Sequence, residues 1–312
     1  MPEPVIPNFF VIGAPKAGTT ALAQYLAEHP NAFVCTPKEP FYLCTDYPHL
    51  KEQHALGSHG DYLALFEGGR GQVAVGEAST NYLRSETAVE NALELNSDAR
   101  FICLLRDPVE IAHAFHSEQL YARNETVESF AEAWGLQEAR AEGRQIPSSC
   151  RAPEFLQYRQ VASIGSQLSR VTSIIPEGQL LVLFQSDLSR DTGAVYRAAC
   201  DFLGLHDDGR SDFPRVNSSH RHRSELLARI VLSPPAPLAR PVNQIRQHLR
   251  VRRPWYAERV KRWQKVVSSR DAIAPELEAE LRSFYGPEVA EVERLTGRDL
   301  SEWTTDCGSG GL

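Results

Sequence analysis

The chain has 312 residues, 42% hydrophobic and 23% charged, which excludes a disordered or fibrous protein and supplies a full hydrophobic core. Its net charge of −7 argues against a general nucleic-acid binder and leaves room for local basic anion sites. No apolar run approaches the roughly 18 residues of a membrane span, and an apolar strand begins by Asn8, so the expectation is a cytoplasmic chain with no leader and no membrane span. The six cysteines lack C-x-x-C spacing and read as free thiols, and His220 and His222 lack the partners a metal would need.

In chain order, residues 8–13 form an apolar run that predicts a buried parallel strand. A glycine turn follows, then a helix over 18–28. Strand, turn and helix start make an anion site, where amides converge and the helix dipole favours negative charge. Gly13 and Gly18 have the G-x-x-x-x-G spacing of a nucleotide phosphate loop. A triphosphate loop would continue with Lys; here Thr19 takes that place and Lys16 lies inside the loop. The loop is therefore expected to hold a phosphate-like group, but not in the manner of ATP.

Further strands are predicted at 73–76, 100–105 and 179–184. Helices are predicted at 85–96, 108–121, 126–142, 154–175, 190–203, 223–231, 254–267 and 274–294, with loops and short turns at 44–72 and 143–153. The prolines of 232–241 break structure and would let a long excursion cover a site. The basic run Arg246 to Lys265 reads chiefly as a solvated helix face. Residues 1–306 read as one domain and 307–312 as a flexible tail. Strands alternating with helices imply right-handed crossovers and a parallel sheet. Ligands bind such sheets at the carboxyl ends of the strands. The loop at 13–20, GEASTNYL at 76–83 and RDP at 106–108 all fall there.

PKAGTTAL at 15–22 resembles the phosphosulfate loop, P-K-x-G-T-T-x-L, of sulfotransferases that use 3′-phosphoadenosine 5′-phosphosulfate (PAPS). Other segments extend the likeness to bacterial members related to the carbohydrate- or heparan-type domain. The resemblance implies an α/β fold with a P-loop-kinase-like central parallel sheet flanked by helices, in a single domain with a helical C-terminal part. It also implies PAPS as donor, PAP as product and no metal. Pro15, Lys16, Ala17, Gly18, Thr19 and Thr20 would then hold the 5′ end, with Lys16 neutralising charge on the bridging oxygen.

Arg106 matches the arginine that grips the 3′-phosphate in R-[DN]-P-V-x-R-A-x-S. Ala114 replaces the serine of that pattern and Ile111 its second arginine, so His113, Ser117 or another basic residue would supply the missing contact. Without a ligand role, Arg106 would pair with Asp107 at the helix start. FPRVNSSHRHR at 213–223 resembles the late basic segment that approaches the nucleotide, which points to Arg221. TPKEPFYL at 36–43 resembles K-E-P-x-F-F, whose glutamate is the catalytic base. Glu39 takes that role, with Lys38, Phe41 and Tyr42 beside the substrate; a solvated Lys-Glu turn is the plain alternative. GEASTNYL resembles G-E-x-S-P-x-Y, with Ala78 where carbohydrate-type members often carry Lys. Ser79 and Tyr82 would line the acceptor cleft with His113, or else pack the following turn. His113 and His116 are the next candidates for a base. TGRDLSEW at 296–303 resembles the C-terminal signature of bacterial members.

The expected reaction is transfer of a sulfuryl group to a hydroxyl of a small-molecule acceptor: a natural product, phenol or alcohol, with a carbohydrate or glycolipid as the alternative. One rival is a metal-dependent P-loop kinase, which would want Lys at position 19 and a strand-end Asp. The other is a PAP-binding protein without turnover. No nucleic-acid partner is expected, and a homodimer is allowed.

Overall fold

A computed structural model describes residues 3–47, 50, 56–214, 220–222, 265–267 and 271–305, with only the backbone at 220–222 and 265–267. The chain forms two compact units. The first comprises Met1–Ile111, Gln160–Asn217 and Pro275–Leu312, and the second Ala112–Arg159 and Ser218–Ala274.

The first unit is built on a five-stranded sheet of β1 (Phe9–Gly13), β2 (Ala32–Val34), β3 (Ala74–Ala78), β4 (Arg100–Leu105) and β5 (Leu180–Phe184), in the order β2-β3-β1-β4-β5. Every pairing is parallel. The four predicted strands all form. β2 has three residues, too few to show a period of two, and it covers the sheet edge beside β3. β1 is wholly buried and has β3 on one side and β4 on the other. The chain reaches these neighbours in opposite directions, so the carboxyl end of β1 is a topological switch point.

The helices are α1 (Thr19–Ala27), α2 (His59–Leu63), α3 (Ala88–Leu95), α4 (Pro108–Ala122), α5 (Phe130–Gly135), α6 (Gln137–Ala141), α7 (Tyr158–Val161), α8 (Ile164–Ile174), α9 (Gln185–Arg190), α10 (Thr192–Leu203) and α11 (Pro275–Thr296). α2 lies in a stretch read as loops; Ser58 and Asp61 close a capping box at its start, the signal that identifies it. α11 packs on α8 at backbone contact: a Cβ on Gly165 would sit 2.2 Å from the Glu288 carbonyl.

Three segments depart from the predicted helices. The helix expected over 126–142 starts later, because the Glu125 carboxylate takes the amides of Thr126 and Val127, and Ser129 then caps α5. It breaks again between α5 and α6 at Gly135–Leu136. The helix expected over 154–175 is split into a 3₁₀ turn, α7 and α8. Gln137 explains the first break: its side chain bonds the Leu156 carbonyl and the Arg159 amide, groups a continuous helix would have spent on itself. Lys265–Val267, expected to be helical, is instead the strand β7, antiparallel to β6 (His220–His222); its two valines suit a ladder. The helices expected at 223–231 and 254–264, the proline-rich 232–241, the rest of the basic run and the tail at 307–312 lie outside the described residues. Among the described residues, no helix is long and apolar enough to cross a membrane.

The C-terminal segment is tied to the sheet by two arginines of the first unit. Arg282 Nη1 lies 3.3 Å from Asp107 Oδ2 and 2.7 Å from the Trp303 carbonyl, while Nη2 pairs with Glu278. Burial pushes the Asp107 carboxyl up in pKa and the Arg282 charge opposes it. Arg298 pairs with Asp187 and lies over the Phe184 ring. TGRDLSEW is therefore a docking segment. Arg282→Met is expected to strand Asp107 as a buried, uncompensated carboxylate and to cost about 3–5 kcal/mol. Denaturant melts would show it, and an added Asp107→Asn should return part of the loss.

Candidate active site

The loop after β1 is shaped by its backbone. Lys16 and Gly18 are both left-handed, with φ of 63° and 95°. The Ala17 amide closes onto the Ala14 carbonyl at 3.2 Å, and Ala14 donates to Leu104 of β4. Gly18 is the N-cap of α1, and its carbonyl accepts the amides of Ala21 and Leu22 at 3.0 and 3.2 Å; the amides of the first helical residues point out of the helix end. A Cβ on Gly18 would meet Leu188 Cδ2 at 2.6 Å, so α9 sits directly on the loop. Thr19 is buried and Thr20 half-buried.

Arg106, just beyond β4, is 16% exposed. Its Nη1 donates to the Lys16 carbonyl at 2.9 Å and its Nε pairs with Glu110 at 2.7 Å. The Arg106–Asp107 pair considered from sequence does not form: Asp107 caps the Val109 amide and faces Arg282. Arg106 instead joins the loops that follow the two neighbouring strands.

The segment carrying Glu39 runs along the other side of β3. Cys35 N donates to Gly76 O at 2.9 Å and Glu39 N to Ala78 O at 3.1 Å. Glu39 and Phe41 are left-handed, with φ of 60° and 53°. Lys38 Nζ lies 2.6 Å from Glu39 Oε1, and Thr80 Oγ1 donates to the same oxygen at 3.1 Å. The two side chains keep 28% and 33% exposure, so the Lys38–Glu39 pair stays in contact with water. Phe41 is buried, and the Tyr42 ring stacks on Tyr62 at 4.5 Å and 10°.

Ser79 and Tyr82 do not face a cleft. Both are fully buried, and they donate their hydroxyls to Glu77 at 2.6 and 2.9 Å. Tyr62 adds a third donor at 2.6 Å. Burial pushes the Glu77 pKa up, and the three hydroxyls and Lys38 pull it back. Burial and the Glu77 charge raise both tyrosines, which stay protonated donors. The same turn is fixed to β1: Ser79 N bonds Val11 O at 3.0 Å, and Leu83 N bonds Ile12 O at 2.6 Å. The Glu39 segment and the phosphate loop thus belong to one sheet edge.

Within the second unit, the half-buried His113 packs its ring 5.1 Å from Phe130, and Ser117 spends its hydroxyl on the His113 carbonyl. His116 is buried; its Nε2 meets the Val127 carbonyl at 2.9 Å, and desolvation lowers its pKa. It is a packing histidine beside the Glu125–Arg140 ion pair, whose two side chains are fully buried. Ala114 is a core position of this unit, as Ile111 is of the first. Arg221 lies in β6, and its side chain is outside the described set. Sequence reading missed Thr80, Glu77 and Tyr62. The acidic residue of GEASTNYL was the available signal for the first two, and the capping box at Ser58 for the third.

No family model matches the chain. It is 27% identical to human bifunctional heparan sulfate N-deacetylase/N-sulfotransferase 3 over 203 residues, which is 64% of this chain and 22% of that protein. It is 35% identical to the membrane-associated sulfotransferase kil1 of Dictyostelium discoideum over 105 residues, 34% of this chain and 21% of that protein. The chain thus spans about a fifth of the length of these curated relatives. The crystal structure of a sulfotransferase from Alicyclobacillus acidocaldarius matches with a TM-score of 0.69 at 26% identity, over 96% of this chain and 100% of that one. The fold is that of the P-loop-kinase-like sulfotransferases. By sequence and by fold the chain is similar to sulfotransferases, among them proteins with the carbohydrate-type domain.

Gly18→Ala would force a Cβ into a left-handed residue against Leu188, at about 1–2 kcal/mol. We expect lower stability in denaturant melts. An unchanged stability would show that the loop tolerates a side chain there.

Proposed function

We propose that the protein transfers a sulfuryl group from PAPS to a hydroxyl of a small-molecule acceptor and releases PAP. The observation that carries this is the placing of Lys16 inside a G-x-x-x-x-G loop, left-handed at Lys16 and Gly18, with its carbonyl held by Arg106. The loop fits a 5′-phosphate: a helix N-terminus supplies amides, Thr19 and Thr20 add hydroxyls, and Lys16 supplies one positive charge. Pro15 and Ala17 complete the turn. PAPS, when bound, supplies a sulfuryl group whose leaving group is a phosphate. A phosphosulfate bears less charge than a triphosphate, so one lysine suffices where a kinase needs a metal.

Glu39 takes the proton of the acceptor hydroxyl. Lys38 and Thr80 both engage Oε1, which leaves Oε2 to receive it. Lys16 neutralises charge on the bridging oxygen as PAP departs. Arg106 grips the 3′-phosphate, competing there with Glu110. Tyr42 and Phe41 border the acceptor side. Positioning and electrostatics supply most of the rate. The acceptor is a natural product, phenol or alcohol, and Ala78 in place of a lysine speaks against a glycan. The five free cysteines of the described residues fit a reducing compartment, which we take to be a bacterial cytoplasm.

Calorimetry with PAP, adenosine 5′-phosphosulfate and ATP tests the donor assignment. PAP should bind well and ATP poorly, with or without magnesium. Arg106→Ala should weaken PAP by about 10- to 100-fold more than adenosine 5′-phosphosulfate, the loss of a charge-assisted contact. Tighter binding of ATP, dependent on magnesium, would make the protein a kinase.

A screen of hydroxyl compounds with PAPS, read by product mass, identifies the acceptor. With it, Glu39→Gln should leave PAP affinity intact and lower turnover about 10²–10⁴-fold. Lys16→Ala should lower both. Near-normal turnover in Glu39→Gln would place the base elsewhere.

A further inference from the structure

Among the hydroxyl partners of the buried Glu77, Tyr82 also holds the segment that carries Glu39. Tyr82 has one hydroxyl proton, and it goes to Glu77 Oε1 at 2.9 Å. That commitment turns a lone pair of the phenol oxygen toward the Leu43 amide, which donates to it at 3.2 Å. Leu43 ends the 36–43 segment. Its middle is held at Glu39, by the amide bond to Ala78 O and the carboxylate bond from Thr80. Thr80 and Tyr82 belong to one 3₁₀ turn, Thr80–Tyr82, directly after β3. Two left-handed residues, Glu39 and Phe41, lie within the span so held. Such conformations persist where the surroundings over-determine them.

We propose that Thr80 and Tyr82 are positioning residues for the base, with Glu77 as the acceptor that fixes the direction of the Tyr82 hydroxyl. This rests on Glu39 being the base. Thr80 aims the carboxylate by occupying Oε1. Tyr82 pins the backbone two residues beyond the left-handed Phe41.

Tyr62 provides a matched control. Its hydroxyl donates to the same Glu77 oxygen at 2.6 Å, and both tyrosines are fully buried. Only the Tyr82 hydroxyl also takes an amide of the 36–43 segment. A role limited to satisfying Glu77 predicts equal effects of Tyr62→Phe and Tyr82→Phe. The positioning role predicts unequal ones.

Hydrogen exchange read by mass spectrometry on peptides covering 36–43 decides between them, in the full chain without acceptor. Tyr82→Phe should speed exchange there about tenfold, and Tyr62→Phe less than twofold. Thr80→Val, at a half-buried position, should also speed it, and Thr80→Ser should restore the native rate. Affinity for PAP should stay within twofold in all four. Equal exchange in the two tyrosine variants, with Thr80→Val unchanged, overturns the proposal. The Glu39→Gln turnover measured separately tells the failures apart: an active Glu39→Gln removes the base itself, whereas an inactive one with equal exchange removes only the positioning.

Discussion

A carboxylate with no exposure stands inside a parallel sheet at Glu77, and much of the first unit is arranged around that fact. An isolated charge there would be very costly. The cost is offset by three hydroxyls: Ser79 and Tyr82 after β3, and Tyr62 from α2. Each donor also fixes its own element. Ser79 and Leu83 are bonded to β1, and Tyr62 carries Tyr42 on its ring. One buried group therefore sets the geometry of three segments that meet at the carboxyl edge of the sheet.

The phosphate side of that edge is secured differently, by long arginines from the end of the chain. Arg282 neutralises Asp107, the neighbour of Arg106, and Arg298 binds Asp187, the neighbour of Leu188 that covers Gly18. Neither arginine needs to touch a ligand. Their effect is to hold the two turns to which the phosphate contacts are proposed. In this arrangement the last elements of the sequence complete a site begun by the first.

The sheet was legible because buried parallel strands are short apolar runs, as in FFVIG and RFICLL. The loop was legible because glycine spacing and a displaced lysine are local facts. Glu77 was not, since a strand interior is the place where an acidic residue is least expected; the sequence pattern ends the strand at Gly76, while β3 runs on to Ala78. The positions of Ser79 and Tyr82 were open between cleft and core, and only the buried carboxylate closes the question. The helix breaks near 126–129 and 157 depend on side chains taking backbone bonds, Glu125 and Gln137. Those bonds become visible only when residues distant in sequence meet.

The residues assigned to the reaction share one further property. Lys16 and Glu39 both sit in the left-handed region, where a side chain costs roughly 1–2 kcal/mol and glycine costs nothing. Gly18, two residues from Lys16, shows that the chain uses glycine where no side chain is needed. At Lys16 and Glu39 it keeps a charged side chain in the strained conformation. Stability alone would favour glycine at both places. The strain is held by named contacts: Arg106 on the Lys16 carbonyl, Ala78 on the Glu39 amide and Thr80 on its carboxylate. Strain retained at a charged residue and clamped by its neighbours is what a site looks like when the direction of a side chain matters more than the stability of its turn.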